Sequence, residues 1–144
     1  MNVGSIFKAD TKTKAPLPFY DRGVRAGFPS PANDYMDGKI DFNKDIIRHP
    51  AATYYCGVVG DSMQEAGIFD GDYVIIDTAA DIRSGDIVLA YYDNAFTVKY
   101  VDLNPYTGRV IRLRPANPKY PVFKMKEGDV CKVIGKVIGC IKLF

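Results

Sequence analysis

At 144 residues, 47% of them hydrophobic, the chain suits one domain of ordinary size with a real core. A net charge of +2 is too small to attract nucleic acid by bulk electrostatics, and a single histidine with three cysteines outside any CxxC pattern leaves the zinc templates unmet, so no metal and no cofactor are expected. No apolar run is long enough for a membrane-spanning helix, and residues 1–26 lack the apolar core of a signal peptide, so a soluble, cytoplasmic protein is expected.

Residues 1–26 read as an arm. Lys12 to Pro18 holds two lysines and two prolines, and no helical or alternating period persists. The arm carries five basic against two acidic residues, a charge of +3 that leaves −1 on the remainder, and it reads as a solvated tail. Its end differs in kind. Arg25-Ala26-Gly27-Phe28-Pro29-Ser30-Pro31 sets two small residues side by side where prolines bias the backbone towards extended shapes, as a peptidase subsite requires of its substrate. Ser30 and Pro31 then resemble the cap and first turn of a short helix near 33–36. A second short helix follows Asp41 as cap, with Phe42, Ile46 and Ile47 apolar and His49-Pro50 as its stop. The sole histidine therefore reads as a surface terminator, not as a catalytic base.

From Thr53 onwards the pattern is one of strands. Tyr54 to Val59, Tyr73 to Asp77, Ile87 to Tyr92, Phe96 to Val101, Val110 to Leu113 and Val130 to Leu143 are β-branched and aromatic runs. Gly71-Asp72, Gly85-Asp86 and Gly128-Asp129 each precede such a run and mark turns that open strands. Asp93-Asn94 fits a two-residue hairpin turn, which sets Tyr92 against Ala95, Ala90 against Thr97 and Val88 against Lys99. Lys99 thus points into a face lined by Val88, Ala90 and Val101, either as an edge residue that snorkels to water or as a lysine partly desolvated there. In the last run, Cys131, Val133, Gly135, Val137, Gly139, Ile141 and Leu143 share a face that reads as core. The opposite face keeps Ile134, Ile138, Cys140 and Phe144 beyond what solvent needs, which points to self-association or to a covering loop. The three cysteines, Cys56, Cys131 and Cys140, read as small buried thiols. Arg112 and Arg114 share an outer, solvated face.

Chemistry gathers at Val58-Val59-Gly60-Asp61-Ser62-Met63, where an apolar strand meets a Gly-Asp turn and delivers a serine to the start of a helix over Met63 to Ile68. Serine needs a base, and here the base is a lysine. At its ordinary pKa of about 10.4, well under one lysine in a thousand is neutral at pH 7, but desolvation lowers that value by roughly 3 to 5 units when burial is complete. The apolar face around Lys99 offers such burial, and backbone N–H groups of Ser62 and Met63 at the turn suit an oxyanion.

These residues carry a resemblance. Gly60-Asp61-Ser62-Met63, Gly67-Ile68-Phe69-Asp70-Gly71-Asp72 and Phe96-Thr97-Val98-Lys99 resemble the self-cleaving domain of LexA repressors, phage repressors and UmuD proteins. Ala26-Gly27-Phe28-Pro29-Ser30-Pro31, Asp41-Phe42-Asn43 and His49-Pro50-Ala51-Ala52-Thr53-Tyr54 are similar to UmuD in particular, and the likeness covers residues 24 to 144. It implies a mainly β, LexA/UmuD-type fold with short helices and an extended N-terminal arm. Ser62 is then the nucleophile, Lys99 the general base and Ala26-Gly27 the scissile pair. It further implies cleavage stimulated by RecA filaments on single-stranded DNA, removal of residues 1–26, and a homodimer of residues 27–144 that joins a UmuC-type polymerase for translesion synthesis in SOS mutagenesis. The Ala-Gly pair is that of LexA repressors, where many UmuD proteins have Cys-Gly. An arm of 26 residues is too short for a helix-turn-helix domain. The competing readings are a LexA-like or phage-type regulator without its DNA-binding domain, a non-enzymatic polymerase-binding β-module, and a signal-peptidase-like enzyme, which would be expected to carry a membrane anchor.

Overall fold

Asp93 and Asn94 adopt φ of 52° and 59°, the left-handed region that a two-residue hairpin turn demands and that short polar side chains tolerate. Ile87–Tyr92 and Ala95–Leu103 therefore fold back on each other with Val88 opposite Lys99, Ala90 opposite Thr97 and Tyr92 opposite Ala95, the register expected from sequence. In chain order the strands are β1 (Asn2–Lys8), β2 (Pro16–Pro18), β3 (Lys39–Asp41), β4 (Thr53–Val59), β5 (Tyr73–Asp77), β6 (Ile87–Tyr92), β7 (Ala95–Leu103), β8 (Val110–Arg114), β9 (Phe123–Lys124) and β10 (Cys131–Ile141). The structure, a computed structural model, describes residues 1–12, 16–18 and 39–144. Its chain divides into two compact units, Met1–Ala9 with Ala51–Phe144, and Asp10–Pro50.

In the larger unit the antiparallel order is β1-β4-β5-β10-β6-β7-β8-β9, and Asn2 of β1 also pairs with Thr97 of β7, so the row from β1 to β7 closes on itself. In the smaller unit β2 pairs with β3 and the single turn of α1 (Phe42–Asp45) follows, capped by the Asp41 carboxylate, which accepts from the Asn43 N–H. The Asp41 cap follows the sequence expectation, but the helix ends at Asp45 after one turn and does not run on to His49-Pro50. The expected helix near 33–36 and the Ala26-Gly27 pair lie outside the described residues. The fold is mainly β and of LexA/UmuD type. No helix among the described residues is long and apolar enough to cross a membrane.

Alternation along β6 and β7 divides the core. Leu89 and Val98 join Cys56, Val58, Met63 and Ile76 in one cluster, while Val88, Ala90, Val101 and Leu113 form another. A strand with both faces covered loses apolar area to water twice over, at about 25 cal/mol per Å².

Three expectations need correction. Residues 2–8 form β1, not an irregular stretch: strict alternation fails because a bulge between Val3 and Ile6 shifts the register against β4. The simple parity of the last strand fails for the same reason. Bulges between Val133 and Gly135 and between Val137 and Gly139 switch its faces. Ile134 and Val137 consequently pack on the first cluster and Cys131 and Val133 on the second, while Ile141 and Leu143 lie exposed. Of the thiols only Cys56 is buried; Cys131, at the start of β10, is half-buried and Cys140, near its end, is exposed.

Gly135 sits where β10 crosses closest to β5. A Cβ there would lie 2.7 Å from Ile76 Cγ2 and 2.8 Å from the Asp77 carbonyl oxygen, a backbone atom that has little freedom to yield. Gly135→Ala is expected to destabilise the fold by about 1–3 kcal/mol, the usual cost of overpacking, read as a lower urea midpoint at unchanged slope. A midpoint equal to that of the unsubstituted chain would show that the β5–β10 contact is looser than this.

Candidate active site

β4 brings its buried residues Cys56 and Val58 into the core and ends at Gly60, whose φ of 99° turns the chain sharply. A side chain would strain that turn, and the bend is what sends Ser62 inward. Asp70 fastens it, accepting from the Gly60 N–H at 2.8 Å, and Val58 and β5 lock the loop's two ends by the bonds Val58 N–H to Asp72 O and Gly71 N–H to Val58 O, each 2.9 Å. Beneath the loop lies buried Asp72. Burial alone would raise its carboxyl, but Lys142 at 2.6 Å and the Phe69 N–H at 2.9 Å bring it below the ordinary carboxylate value.

After Ser62 the chain makes one 3-10 turn, Gln64–Ala66, closed by Gly67 at φ 82°. The six-residue helix expected over Met63 to Ile68 is therefore absent, because the left-handed Gly67 ends it after one turn. With it goes any helix-dipole contribution at the serine, as a single turn has no macrodipole of note.

Ser62 and Lys99 meet. Both are buried, 1% and 2% exposed, and the Lys99 Nζ lies 3.0 Å from Ser62 Oγ. The hairpin register explains the lysine's place: it shares its face with Val88, Ala90 and Val101, each fully buried. Nζ also donates to Thr97 Oγ1 at 2.9 Å and to the Val98 carbonyl at 3.2 Å. Desolvation by these surroundings pulls the Lys99 pKa below its ordinary value. Ser62 Oγ accepts a further hydrogen bond, from the Met1 α-amino group, whose own pKa is pulled down chiefly by burial and then by the neighbouring Lys99.

A segment distant in sequence clamps the Ser62 turn. The Ala116 N–H donates to the Ser62 carbonyl at 2.8 Å, and the Glu65 N–H returns a bond of equal length to Ala116 O. Asn117 Nδ2 donates to the Asp61 carbonyl at 3.0 Å, while the Tyr120 hydroxyl donates to the Asp61 carboxylate. These partners, with Thr97 and Met1, escape a reading of the sequence. Only Thr97 left a signal, two residues before Lys99 on the same strand face; Asn117 stands between Pro115 and Pro118 in a stretch with no period to read. His49 is exposed in the smaller unit, and among the described residues no group of three or more His, Cys, Asp or Glu is placed to hold a metal ion. Arg112 and Arg114 both bond Asp102, an outer-face ion cluster.

Known proteins resemble this chain along most of its length. Residues 18–138 match the Peptidase S24-like family. The protein SamA of Salmonella typhimurium (strain LT2) is 42% identical over 117 residues, 81% of each chain. MucA of Salmonella typhimurium is 39% identical over 107 residues, 74% of this chain and 70% of MucA. The LexA repressor of Acidovorax sp. (strain JS42) is 33% identical over 126 residues, 88% of this chain but 54% of the repressor. A chain so matched along most of its length belongs to the Peptidase S24-like family, and it stands nearer the UmuD-like proteins SamA and MucA than the LexA repressors.

Proposed function

We propose that the chain is a self-cleaving serine endopeptidase that cuts its own Ala26-Gly27 bond. The observation that carries this reading is the buried contact of 3.0 Å between Ser62 Oγ and Lys99 Nζ. A neutral lysine amine has two N–H bonds and one lone pair. Thr97 Oγ1 and the Val98 carbonyl accept the two N–H bonds, which leaves the lone pair aimed at the Ser62 hydroxyl. Lys99 then takes the Ser62 proton as Oγ attacks the Ala26 carbonyl carbon, and the backbone N–H groups of Ser62 and Met63 hold the oxyanion. The carbon–nitrogen bond breaks, the Lys99 proton passes to the Gly27 amine, and a water deprotonated by Lys99 hydrolyses the Ser62 ester. The Asp61 clamp made by Asn117 and Tyr120 keeps Oγ in line, since an ångström of misplacement is costly to such chemistry.

Its kinship with SamA and MucA supports the wider role: cleavage stimulated by RecA filaments on single-stranded DNA, and a homodimer of residues 27–144 in the cytoplasm that serves a UmuC-type error-prone polymerase.

Incubation between pH 7 and pH 10 is expected to yield, by mass spectrometry, a fragment beginning at Gly27, at a rate that climbs with pH and levels off below the ordinary lysine value as Lys99 deprotonates. A rate flat over that range rules out the lysine base. Ser62→Ala and Lys99→Ala are expected to remove cleavage while the fold persists, and Gly27→Glu to block it by bulk. Stability offers an independent check. Because the Lys99 pKa is depressed in the folded chain, the unfolded chain binds more protons between that value and 10.5, so this group's contribution to stability rises with pH in that window. Lys99→Met is therefore expected to exceed the unsubstituted chain in urea midpoint at pH 7, with the gap narrowing by pH 10; a gap that widens contradicts a desolvated lysine.

A further inference from the structure

Charge is unevenly spread along the larger unit. Residues 51–98 carry eight acidic side chains against one basic, whereas residues 99–144 carry ten basic against three acidic. One of the ten is buried Lys99, and another, Lys142, is taken by Asp72. Three of the others gather at one edge of the sheet. Register sets Tyr100 opposite Arg114, Asp102 opposite Arg112 and Arg112 opposite Lys124, so these five side chains share one face of β7, β8 and β9. The other face of the same strands holds Val101, Leu113 and Phe123 and belongs to the second core cluster. The basic face looks to solvent, with the Arg112 and Arg114 side chains 47% and 38% exposed.

Three cations here stand against one carboxylate. Asp102 accepts from Arg112 Nε and from Arg114 Nε and Nη2, which engages three of the ten N–H bonds of the two guanidinium groups. It neutralises one charge and orients both planes, while Arg114 also lies over the Tyr100 ring, 5.2 Å from its centroid. Lys124 is exposed and has no ion-pair partner among the described residues.

The hairpin that joins β7 to β8 adds an aromatic ring. Tyr106 is 94% exposed, in a loop fastened by Asn104, whose Oδ1 accepts from the Tyr106 and Thr107 N–H groups and whose carbonyl accepts from the Gly108 N–H. A ring held out in water on a fastened turn contributes nothing to the core.

We propose that the outer face of β7, β8 and β9 binds single-stranded nucleic acid, with Arg112, Arg114 and Lys124 on successive phosphates and Tyr106 stacked on a base. Cations on neighbouring strands can track a phosphate backbone, and a base offers Tyr106 a π-face that an acidic peptide lacks. The site uses neither Ser62 nor Lys99, so it stands or falls apart from the dyad.

The test is fluorescence anisotropy, with the full chain titrated into a labelled oligothymidylate of about 16 nucleotides. Three phosphate contacts are expected to give log affinity a slope against log salt of about −2, a loss of about 20-fold between about 50 and 200 mM. Arg112→Gln with Lys124→Gln is expected to weaken binding at least about tenfold and to flatten the slope by about 1.4. Lys8→Gln with Lys12→Gln removes the same charge from residues 1–26 and is expected to change neither. Tyr106→Ala is expected to weaken binding at least about fivefold at unchanged slope. Absence of binding at about 50 mM salt overturns the proposal. Equal losses in the two double variants, or full-strength binding by Tyr106→Ala, do the same. Displacement of the oligonucleotide by polyglutamate at matched charge makes the face a dock for acidic proteins and also ends the proposal. Should the Arg112→Gln, Lys124→Gln chain fail to fold, the salt slope and Tyr106→Ala still decide.

Discussion

The burial of one amine governs this structure. Lys99 stands in a strand whose neighbours on the same face are Thr97 and Val101, across a hairpin from Val88 and Ala90, and water reaches almost none of it. An ammonium ion in such a place is costly; a neutral amine is far less so, provided that its N–H bonds find acceptors. Thr97 Oγ1 and the Val98 carbonyl are those acceptors, supplied by the lysine's own strand. The same surroundings that make the lysine an expensive cation favour its neutral form.

Ser62 is held by different means. Ser62 follows a turn that no helix supports, so its position comes from bonds that reach across the chain: Asp70 on Gly60, Ala116 on the Ser62 carbonyl, Asn117 and Tyr120 on Asp61. The neutral bond between the Ala116 N–H and the Ser62 carbonyl is modest, net about 1 kcal/mol. Together these bonds hold a turn whose φ/ψ values would otherwise wander. Under the loop, the Asp72–Lys142 pair fastens the chain's last residues to the same hairpin, so the body that holds the serine is braced from both sides.

Much of the site was legible because its causes are local. Asp93-Asn94 dictates a two-residue turn, the turn dictates register, and register puts Lys99 among apolar side chains without any knowledge of the rest. The glycines at 60, 71, 85 and 128 all take positive φ, as turn chemistry requires. The last strand was less legible. Two bulges in β10 change which side chains face the core, and a bulge answers to strands β5 and β6 on either side rather than to the alternation of its own residues. Residues 2–8 were misjudged likewise, since a strand that closes a sheet is chosen by the edges it bridges.

By itself, then, the sequence determined the mainly β architecture, the hairpin and its register, the serine after a Gly-Asp turn, and a lysine on an apolar strand face. All of these follow from contacts between residues near one another along the chain. Tertiary structure alone decided that Ser62 and Lys99, 37 residues apart, come within 3.0 Å, that Asn117 and Tyr120 clamp the turn, and that Met1 reaches Ser62 from 61 residues away. Such pairings depend on the order of strands in the sheet. Strand order is settled by how all the apolar faces are covered at once, which no single stretch of residues records.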